Sequence, residues 1–293
     1  MKILNDYRNF QAEAKFFRRT YHPNIIEFHR IIETQDGLGF VMEWATLGTL
    51  SQYSKKLSPK QIVIVSFGIA TGLQYLHSLK LIHRDIKPSN VLLVGDTLSD
   101  FTAKISDFGL LKQQESLMTQ LSGTLQYMAP EVVKSHDYTY SVDIYSFSVI
   151  LYELYSGKDF LDTCETNCKL SCFSLVNEIA NKRKPVVPMS CPEHVRILIS
   201  KGWDLQPKLR PTAEEFAMAF SRNFDSKFLL EHLRHKYGIL QRPDDQKTRS
   251  SPSPHQLRFQ SNETDLPRIS EQKRSSKIEK KEVGSKGNRT RDL

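Results

Sequence analysis

The sequence has few cysteines and no long apolar run. Four cysteines in 293 residues are too few for a small disulfide-stapled fold. The apolar run that begins at Ile62 is interrupted at Ser66, far short of the length that crosses a bilayer. The residues after Met1 include no apolar stretch of signal-peptide length. These absences predict a cytoplasmic protein with reduced thiols and no membrane span.

The cysteines also lack the spacing of a metal site. Cys164, Cys168 and Cys172 recur every four residues, and Cys191 follows later. Structural zinc sites pair their cysteines more closely or combine them with histidine, and neither pattern is present here. A metal site is conceivable, but free thiols in a surface insertion are the interpretation that the spacing favours.

Positive charge is concentrated at one end of the chain. The formal net charge is +8, and residues 241–293 hold thirteen Lys/Arg against eight Asp/Glu, a net of +5. This region is rich in Ser, Pro, Lys and Arg and poor in large apolar residues, so 242–293 is predicted to be a disordered basic tail. Because the remainder is only slightly basic, nucleic-acid binding is not predicted.

Periodicity predicts an α+β fold in which strands and one helix precede a mostly helical part. A helix is expected over 6–20 and extended chain over 22–34, and Gly37-Leu38-Gly39 is interpreted as a hairpin turn leading into a strand at Phe40–Trp44. Ser58 and Pro59 have the residue types of a helix start, for a helix that runs to about His77. The segment 141–156 is apolar nearly all round, which indicates a helix buried on every side.

Three short motifs carry the chemistry. The run His83–Asn90 reads HRDIKPSN, the triplet DFG follows at 107–109, and APE follows at 129–131. Any one triplet could arise by accident. All three in this order, each in a suitable loop, match the H-R-D-x-x-x-x-N, D-F-G and A-P-E pattern of phosphoryl transfer from ATP.

The residue types at these positions suit that reaction, which needs positioning and charge neutralisation more than covalent help. Asp85 supplies a carboxylate that can accept a hydrogen bond from an attacking hydroxyl, and Lys87 can neutralise the transferring phosphate. Asn90 and Asp107 supply oxygen ligands of the kind that Mg²⁺ prefers. ATP and Mg²⁺ are therefore the predicted cofactors.

These motifs resemble the eukaryotic protein kinase family, on the serine/threonine side of its tyrosine-kinase-like group. The resemblance covers about residues 1–222; Lys87 and the run Gly123–Glu131 carry the serine/threonine character. It implies a two-lobed kinase fold acting on protein substrates that carry Ser or Thr. The implied parts are an incomplete β-rich N-lobe (1–47), a large helical C-lobe (48–222), a helical extension (223–241) and the tail.

The resemblance also implies roles for single residues. Thr124 would shape the hydroxyl site, and Asp143 would tie the backbone of the catalytic loop. Glu131 and Arg210 would form a buried ion pair. The nucleotide is expected to contact the gatekeeper Met42, the hinge from Glu43 to Ala45, and Leu92, while Glu13 would pair with an ATP-positioning lysine. Phe17, Phe28, His83 and Phe108 would stack as a spine.

Some features depart from the family. No G-x-G-x-x-G run precedes Glu13, which suggests a chain truncated in its ATP-binding lobe that binds ATP weakly, with regulatory domains conceivable upstream of Met1. Lys2 is the candidate ATP-positioning lysine, although it is only eleven residues before Glu13; a solvated terminal lysine is the alternative. Ser148 stands where a glycine is common. A catalytically weak kinase-fold fragment that acts as a binding scaffold is the alternative function.

Three hydroxyl residues lie between the second and third motifs: Ser116, Thr119 and Ser122. A phosphate added to one of them could pair with Arg84 and order the loop. A solvated loop hydroxyl is the ordinary alternative for each of the three.

Overall fold

The computed structural model describes residues 2–4, 20–34, 37–107, 125–134, 139–163 and 184–223. Within these ranges the chain forms six strands, six α-helices and four 3₁₀ turns, so the predicted α+β class is confirmed. None of the described helices combines the length and the apolar character that crossing a membrane requires.

The first sheet is antiparallel and contains β1 (Lys2–Leu4), β2 (Phe28–Thr34) and β3 (Gly37–Met42). Its order is β1-β3-β2, and Gly39 lies opposite Ile3 on one side and Ile32 on the other. The prediction of a turn at Gly37–Gly39 is therefore wrong, and the strand ends at Met42 rather than Trp44. Hydrogen bonding to two neighbouring strands overrides the turn preference of the glycines.

The second sheet contains β4 (Gly48–Thr49), β5 (Val91–Thr97) and β6 (Asp100–Ile105), in that order and antiparallel. The backbone of the loop before β2 joins it, because Ile26 N–H donates to the carbonyl of Ile105 (2.9 Å) and Ile105 N–H donates to the carbonyl of Asn24 (2.8 Å). The segment that leads into the first sheet is thus fixed to the end of β6, directly before the predicted Mg²⁺ ligand at 107.

Helix α1 (Pro59–Ser78) begins where the sequence predicts. Ser58 and Gln61 form a capping box in which each side chain accepts from the other residue's backbone N–H. Gly68 and Gly72 let the helix approach β6 closely: a Cβ on Gly72 would lie 2.9 Å from the side chain of Ile105. The close approach packs α1 against β6, and the chain continues from the end of α1 at Ser78 into the loop that starts at 81.

The helical part is built around α3 (Ser141–Ser156), which is buried on nearly all sides as predicted. The other helices of this part are α2 (Pro130–Lys134), α4 (Phe160–Thr163), α5 (Glu193–Gly202) and α6 (Ala213–Asn223). Ser148 of α3 faces Gly202 of α5, where a Cβ would lie 1.8 Å from the serine Oγ. The serine that departs from the family pattern is accommodated by a glycine across the helix interface.

Several predictions lie outside the described residues. They concern most of the helix at 6–20, the cysteines Cys164, Cys168 and Cys172, and the segment 224–293 with its helical extension and basic tail. Cys191 is described; it is a buried free thiol at the start of the segment before α5.

Candidate active site

One buried carboxylate holds the backbone of the loop that carries Asp85. Asp143, which is 0% exposed in α3, accepts a hydrogen bond from His83 N–H (2.9 Å to Oδ2) and one from Arg84 N–H (2.8 Å to Oδ1). Arg84 has a φ of 69°, a left-handed conformation that costs a non-glycine residue energy and needs support from its surroundings. Asp143 provides this support, so its backbone contacts match the tie that the sequence predicted.

A second partner of Asp143 was not foreseen. His77, in the last turn of α1, places Nε2 2.9 Å from Oδ2 of Asp143, and only 13% of its side chain is exposed. The position of His77 in the last helical turn before the loop was the only sequence signal for this contact. Helices α1 and α3 therefore meet at the carboxylate that shapes the loop.

Three predicted catalytic residues converge within this loop. The ammonium of Lys87 lies 2.9 Å from Oδ2 of Asp85. The side-chain amide of Asn90 donates to the backbone carbonyl of Asp85 (2.7 Å) and to its Oδ2 (3.0 Å). Because Nδ2 of Asn90 is held by these two acceptors, its Oδ1 points away from Asp85, and no described group donates to it. One carboxylate, one ammonium and one amide group thus lie together in this loop.

His83 connects this loop to the end of β6. Its Nε2 lies 3.0 Å from the carbonyl of Ser106, and its Nδ1 accepts from the N–H of Asp85 (3.3 Å). These contacts require the neutral tautomer with hydrogen on Nε2, and burial lowers the pKa of His83, which keeps it neutral. The structure therefore gives His83 a polar linking role, and the predicted stacking in the spine stays a prediction.

The position of Asp107 is set through its neighbour Ser106. The N–H and the hydroxyl of Ser106 both donate to the backbone carbonyl of Asn90, at 2.9 and 3.0 Å. This brings the backbone next to Asp107 against the loop that carries Asn90. Asp107 itself has a φ of 56°, so the chain turns sharply at this residue. Ser106, which no sequence motif indicated, links the two predicted Mg²⁺ ligands.

The hinge residues follow β3 directly. Glu43 N–H donates to the carbonyl of Glu27 (2.8 Å), and the carbonyl of Ala45 accepts from Gly48 N–H (3.1 Å). Within the described part of the chain, the carbonyl of Glu43 and the N–H of Ala45 have no hydrogen-bond partner. One acceptor and one donor of the backbone remain available there for a planar heterocycle. Met42, at the end of β3, is half-buried.

The side chain of Glu43 is occupied elsewhere. Its Oε2 lies 2.7 Å from the ammonium of Lys104 and accepts from Glu27 N–H (3.3 Å). Lys104 pairs across β5 and β6 with Leu92, so both lie on the sheet face opposite the buried Val91 and Leu93. Leu92 is half-buried on that face. Any contact of Glu43 with a nucleotide would therefore come from its backbone rather than its carboxylate.

Other predicted site residues lie where the structure gives no side-chain description. These are Lys2, described only as part of strand β1, and Glu13, Phe17, Phe108, Thr124, Ser116, Thr119 and Ser122. Of the predicted spine, Phe28 is described and packs edge-on against Phe40, with ring centroids 5.8 Å apart.

The predicted ion pair in the helical part is present. Both terminal nitrogens of Arg210 donate to Glu131, with Nη2 2.9 Å from Oε2, and Nη1 also donates to the carbonyl of Ser141 (3.0 Å). Glu131 belongs to the third sequence motif and to α2. The pair therefore fixes the end of the predicted substrate-docking loop to the start of α3.

The donor set fits Mg²⁺ better than a transition metal. No group of three or more His, Cys, Asp or Glu side chains within the described ranges could hold a metal ion. Mg²⁺ usually takes one or two protein oxygen ligands and completes its shell with phosphate and water. The Oδ1 of Asn90, to which no described group donates, and the carboxylate of Asp107 are oxygen ligands of this kind, so both residues are suited to the predicted ion.

Comparisons with known proteins show the family to which this chain belongs. The family model described as "Protein kinase domain" matches residues 2–219. Mitogen-activated protein kinase kinase kinase 13-B of Xenopus laevis is 35% identical over 213 residues, covering 71% of this chain and 21% of the relative. The human mitogen-activated protein kinase kinase kinase 13 is 34% identical with the same coverage. The rat mitogen-activated protein kinase kinase kinase 12 is 32% identical, covering 71% of this chain and 23% of the relative. The chain spans about a fifth of the length of these relatives.

Proposed function

Since this chain belongs to the eukaryotic protein kinase family, among the serine/threonine kinases of its tyrosine-kinase-like group, we propose that it transfers the γ-phosphate of ATP to Ser and Thr hydroxyls of protein substrates. The observation that carries the proposal is the convergence of Lys87 and Asn90 on Asp85, in a loop whose backbone Asp143 holds. Phosphoryl transfer depends on such positioning of charge and hydrogen-bond groups.

In this proposal Asp85 receives the substrate hydroxyl. Its carboxylate accepts a hydrogen bond from the hydroxyl and orients the oxygen toward the terminal phosphate, while the Asn90 amide fixes the carboxylate by donating to Oδ2. Lys87, already 2.9 Å from Oδ2 of Asp85, is close enough to share its charge between that carboxylate and the transferring phosphate. Thr124 is assigned to the hydroxyl site by resemblance.

Asn90 and Asp107 are the residues that would hold Mg²⁺. The bound ion would neutralise the charge of the nucleotide phosphates. The protein contributes the orientation: Nδ2 of Asn90 is held by Asp85, so Oδ1 is presented outward, and Ser106 keeps the backbone before Asp107 against the same loop. These contacts of Asn90 and Ser106 orient the two proposed Mg²⁺ ligands before any ion binds.

The adenine is assigned to the hinge. The carbonyl of Glu43 and the N–H of Ala45 offer the acceptor and donor that a purine edge requires, and Met42 and Leu92 contribute half-buried apolar surface nearby. Lys2 and Glu13 are assigned to phosphate positioning by resemblance alone.

The protein substrate that we propose is a mitogen-activated protein kinase kinase, because the relatives are named for acting on that class. We further propose that the chain acts in the cytoplasm, where ATP is abundant and a free thiol such as Cys191 stays reduced.

A radiolabelled phosphate assay tests the reaction. The chain is incubated with Mg²⁺, labelled ATP and a purified mitogen-activated protein kinase kinase, and the modified residues are mapped by mass spectrometry. Asp85→Asn should reduce turnover by about 10²- to 10⁴-fold, the usual contribution of a positioned acid or base. Asp96→Asn, at an exposed position of β5, is the matched control and should retain turnover.

Two results would contradict parts of the proposal. Wild-type protein that transfers no more phosphate than Asp85→Asn would overturn the proposed activity and favour a binding scaffold. Turnover on a generic serine peptide, but not on the mitogen-activated protein kinase kinase, would retain the activity and overturn the proposed substrate.

A further inference from the structure

A second buried carboxylate in α3 has no part in the chemistry described above. Glu153 is 7% exposed and accepts three hydrogen bonds. Tyr127 donates its hydroxyl to Oε2 (2.8 Å), the Gln126 amide donates to Oε1 (3.0 Å), and the backbone N–H of Phe160 donates to Oε1 (3.1 Å). A single carboxyl group thus connects the 3₁₀ turn Leu125–Tyr127 to the first residue of α4.

The turn held by Glu153 lies in the segment assigned to substrate docking. It immediately follows Thr124 and precedes the Ala129–Glu131 motif. Ser146 of α3 also binds the turn, because its hydroxyl donates to the carbonyl of Tyr127 (2.6 Å). Within the described residues, however, the side chains of Gln126 and Tyr127 have Glu153 as their shared anchor. Loosening Glu153 would therefore free these side chains while Ser146 keeps the turn in place.

The buried setting of Glu153 shifts the ionisation of its carboxyl toward neutral pH. Burial raises the pKa of Glu153 to about 7, and the nearby carboxylate of Asp159 raises it as well. The hydrogen bonds from Phe160 N–H and Tyr127 lower the pKa, as does the ammonium of Lys55. Lys55 and Asp159 form an exposed ion pair at 2.9 Å. Both ionisation states of Glu153 are consequently accessible under physiological conditions.

The two states hold the turn differently. The ionised carboxylate is an acceptor only and suits all three donors. A proton on Oε2 makes that oxygen a donor and brings it into competition with the hydroxyl hydrogen of Tyr127 at the same contact. Burial and the carboxylate of Glu153 raise the pKa of Tyr127, so the tyrosine keeps its hydroxyl hydrogen. This hydrogen and the proton on Oε2 of Glu153 therefore compete for the same contact.

We propose that Glu153 is a positioning residue for the protein substrate: its carboxylate holds the Leu125–Tyr127 turn in the geometry that receives the substrate, and protonation of the carboxyl weakens that hold. The inference rests on the proposed kinase function, because it assigns the turn to the substrate. Glu153 acts through Gln126 and Tyr127 and does not touch the reacting atoms.

The test measures the KM of a histidine-free serine peptide between pH 6.0 and 8.0, at saturating Mg-ATP, for wild type and Glu153→Gln. The wild-type KM should fall about three- to tenfold as pH rises, the equivalent of one hydrogen bond. Glu153→Gln, which resembles the protonated state, should have a raised KM that does not change over this range. The KM for ATP should follow the same pH course in both proteins, because the ionisation of ATP is common to them.

Further variants separate positioning from a general effect on folding. Lys55→Met removes the ammonium that favours ionised Glu153, so the pH course of the peptide KM should move to higher pH. The exposed Lys56→Met is the matched control and should not move it. Tyr127→Phe should raise the peptide KM, and combining it with Glu153→Gln should add little, because both remove the same contact.

Equal pH courses of the peptide KM in wild type and Glu153→Gln would overturn the proposal. So would a Glu153→Gln variant that alters Tm, kcat and the KM for ATP together without a separate effect on the peptide. Direct peptide binding by fluorescence anisotropy is measured over the same pH range and needs no turnover. Failure of phosphate transfer in every variant would therefore count against the kinase activity, and the binding curves would still decide the role of Glu153.

Discussion

Arg210 and Glu131 form a two-point ion pair across 79 residues of chain, with the arginine side chain fully buried. A guanidinium matches a carboxylate in this way because both groups are planar and present two sites. The pair connects the last sequence motif to the segment before α6. Since Arg210 also donates to the carbonyls of Ser141 and Asp204, it holds three segments of the helical part together.

Breaking this pair should destabilise the protein strongly. We expect Glu131→Gln to lower the free energy of unfolding by about 3–5 kcal/mol, because it leaves the buried guanidinium without a counter-charge. Urea denaturation followed by circular dichroism measures the change. Arg210→Lys keeps the charge but loses the two-point geometry and should be intermediate or equally damaging. Variants with wild-type midpoints would show that the pair contributes nothing to stability.

Asp143→Asn should have its main effect on kcat rather than on the free energy of unfolding. An asparagine has only one acceptor oxygen, so one of the backbone N–H groups of His83 and Arg84 loses its partner, at a cost of about 1–3 kcal/mol. If this cost falls on the geometry of the loop, kcat drops about 10- to 100-fold. Single-turnover kinetics measure it. His77→Gln retains a donor toward Asp143 and should have a smaller effect; the reverse order would contradict this account.

Two substitutions of Asn90 should separate its two contacts. Asn90→Ala removes both the outward oxygen and the donor to Asp85, so the Mg²⁺ concentration for half-maximal activity should rise about 10- to 100-fold and kcat should also fall. Asn90→Asp keeps an oxygen for the ion but loses the donor to Asp85. It should therefore lower kcat with little change in the Mg²⁺ requirement. Titration of activity with Mg²⁺ distinguishes the outcomes; identical curves for both variants would refute the separation.

The contribution of His22 and His83 to stability should decrease as the solution becomes acidic. Burial lowers the pKa of His22 from 6.5 to about 4, with Lys104 contributing, and burial also lowers the pKa of His83. At these two sites the unfolded chain binds more protons below pH 6.5, so their contribution to stability is fully present above that value and is lost as pH falls, toward pH 4 for His22. Glu153 contributes in the opposite direction, because burial raises its pKa to about 7 and the folded protein then binds the extra proton. Urea denaturation at pH 7.5, 6.0 and 5.0 measures the slope.

A histidine substitution identifies the source of that slope. His22→Gln should be destabilised less than wild type by acidification from pH 6.5 to 5, because it removes one buried group that takes up a proton on unfolding. The exposed His29→Gln is the matched control. If both variants keep the wild-type slope, His22 is not a contributor.

The contact between Ser148 and Gly202 predicts a suppressor pair. Gly202→Ala would place a methyl group against Oγ of Ser148 and should cost about 1–3 kcal/mol of stability. Ser148→Gly removes the obstructing side chain, so the double variant should regain most of the loss. Thermal denaturation of the four proteins measures the coupling. Additive losses would show that the α3–α5 interface adjusts elsewhere.

Local patterns were sufficient for much of the fold. The start of α1 was predictable because Ser58, Pro59 and Gln61 satisfy the first backbone groups of a helix among themselves. The burial of α3 was predictable because apolar residues surround its axis. The turn at Gly37–Gly39 was mispredicted, because pairing with β1 and β2 depends on residues far from it in sequence.

The candidate site shows the same division. The order and spacing of the three motifs predicted Asp85, Lys87 and Asn90, since residues within one short loop converge by local geometry alone. Contacts between residues that are far apart in the sequence had no such local signal. Ser106 to Asn90, His77 to Asp143 and Glu153 to Tyr127 each join segments whose approach is set by the packing of helices and strands.

The amino-acid sequence by itself indicated the family and the proposed reaction class, because Asp85, Lys87 and Asn90 lie only a few positions apart along the chain. The tertiary structure decided which carboxylates hold the loops in place. Asp143 of α3 binds the loop that carries Arg84, and Glu153 of α3 binds the turn that carries Gln126. Burial sets their partners, and burial is a property of the packed molecule that a linear order of residues does not contain.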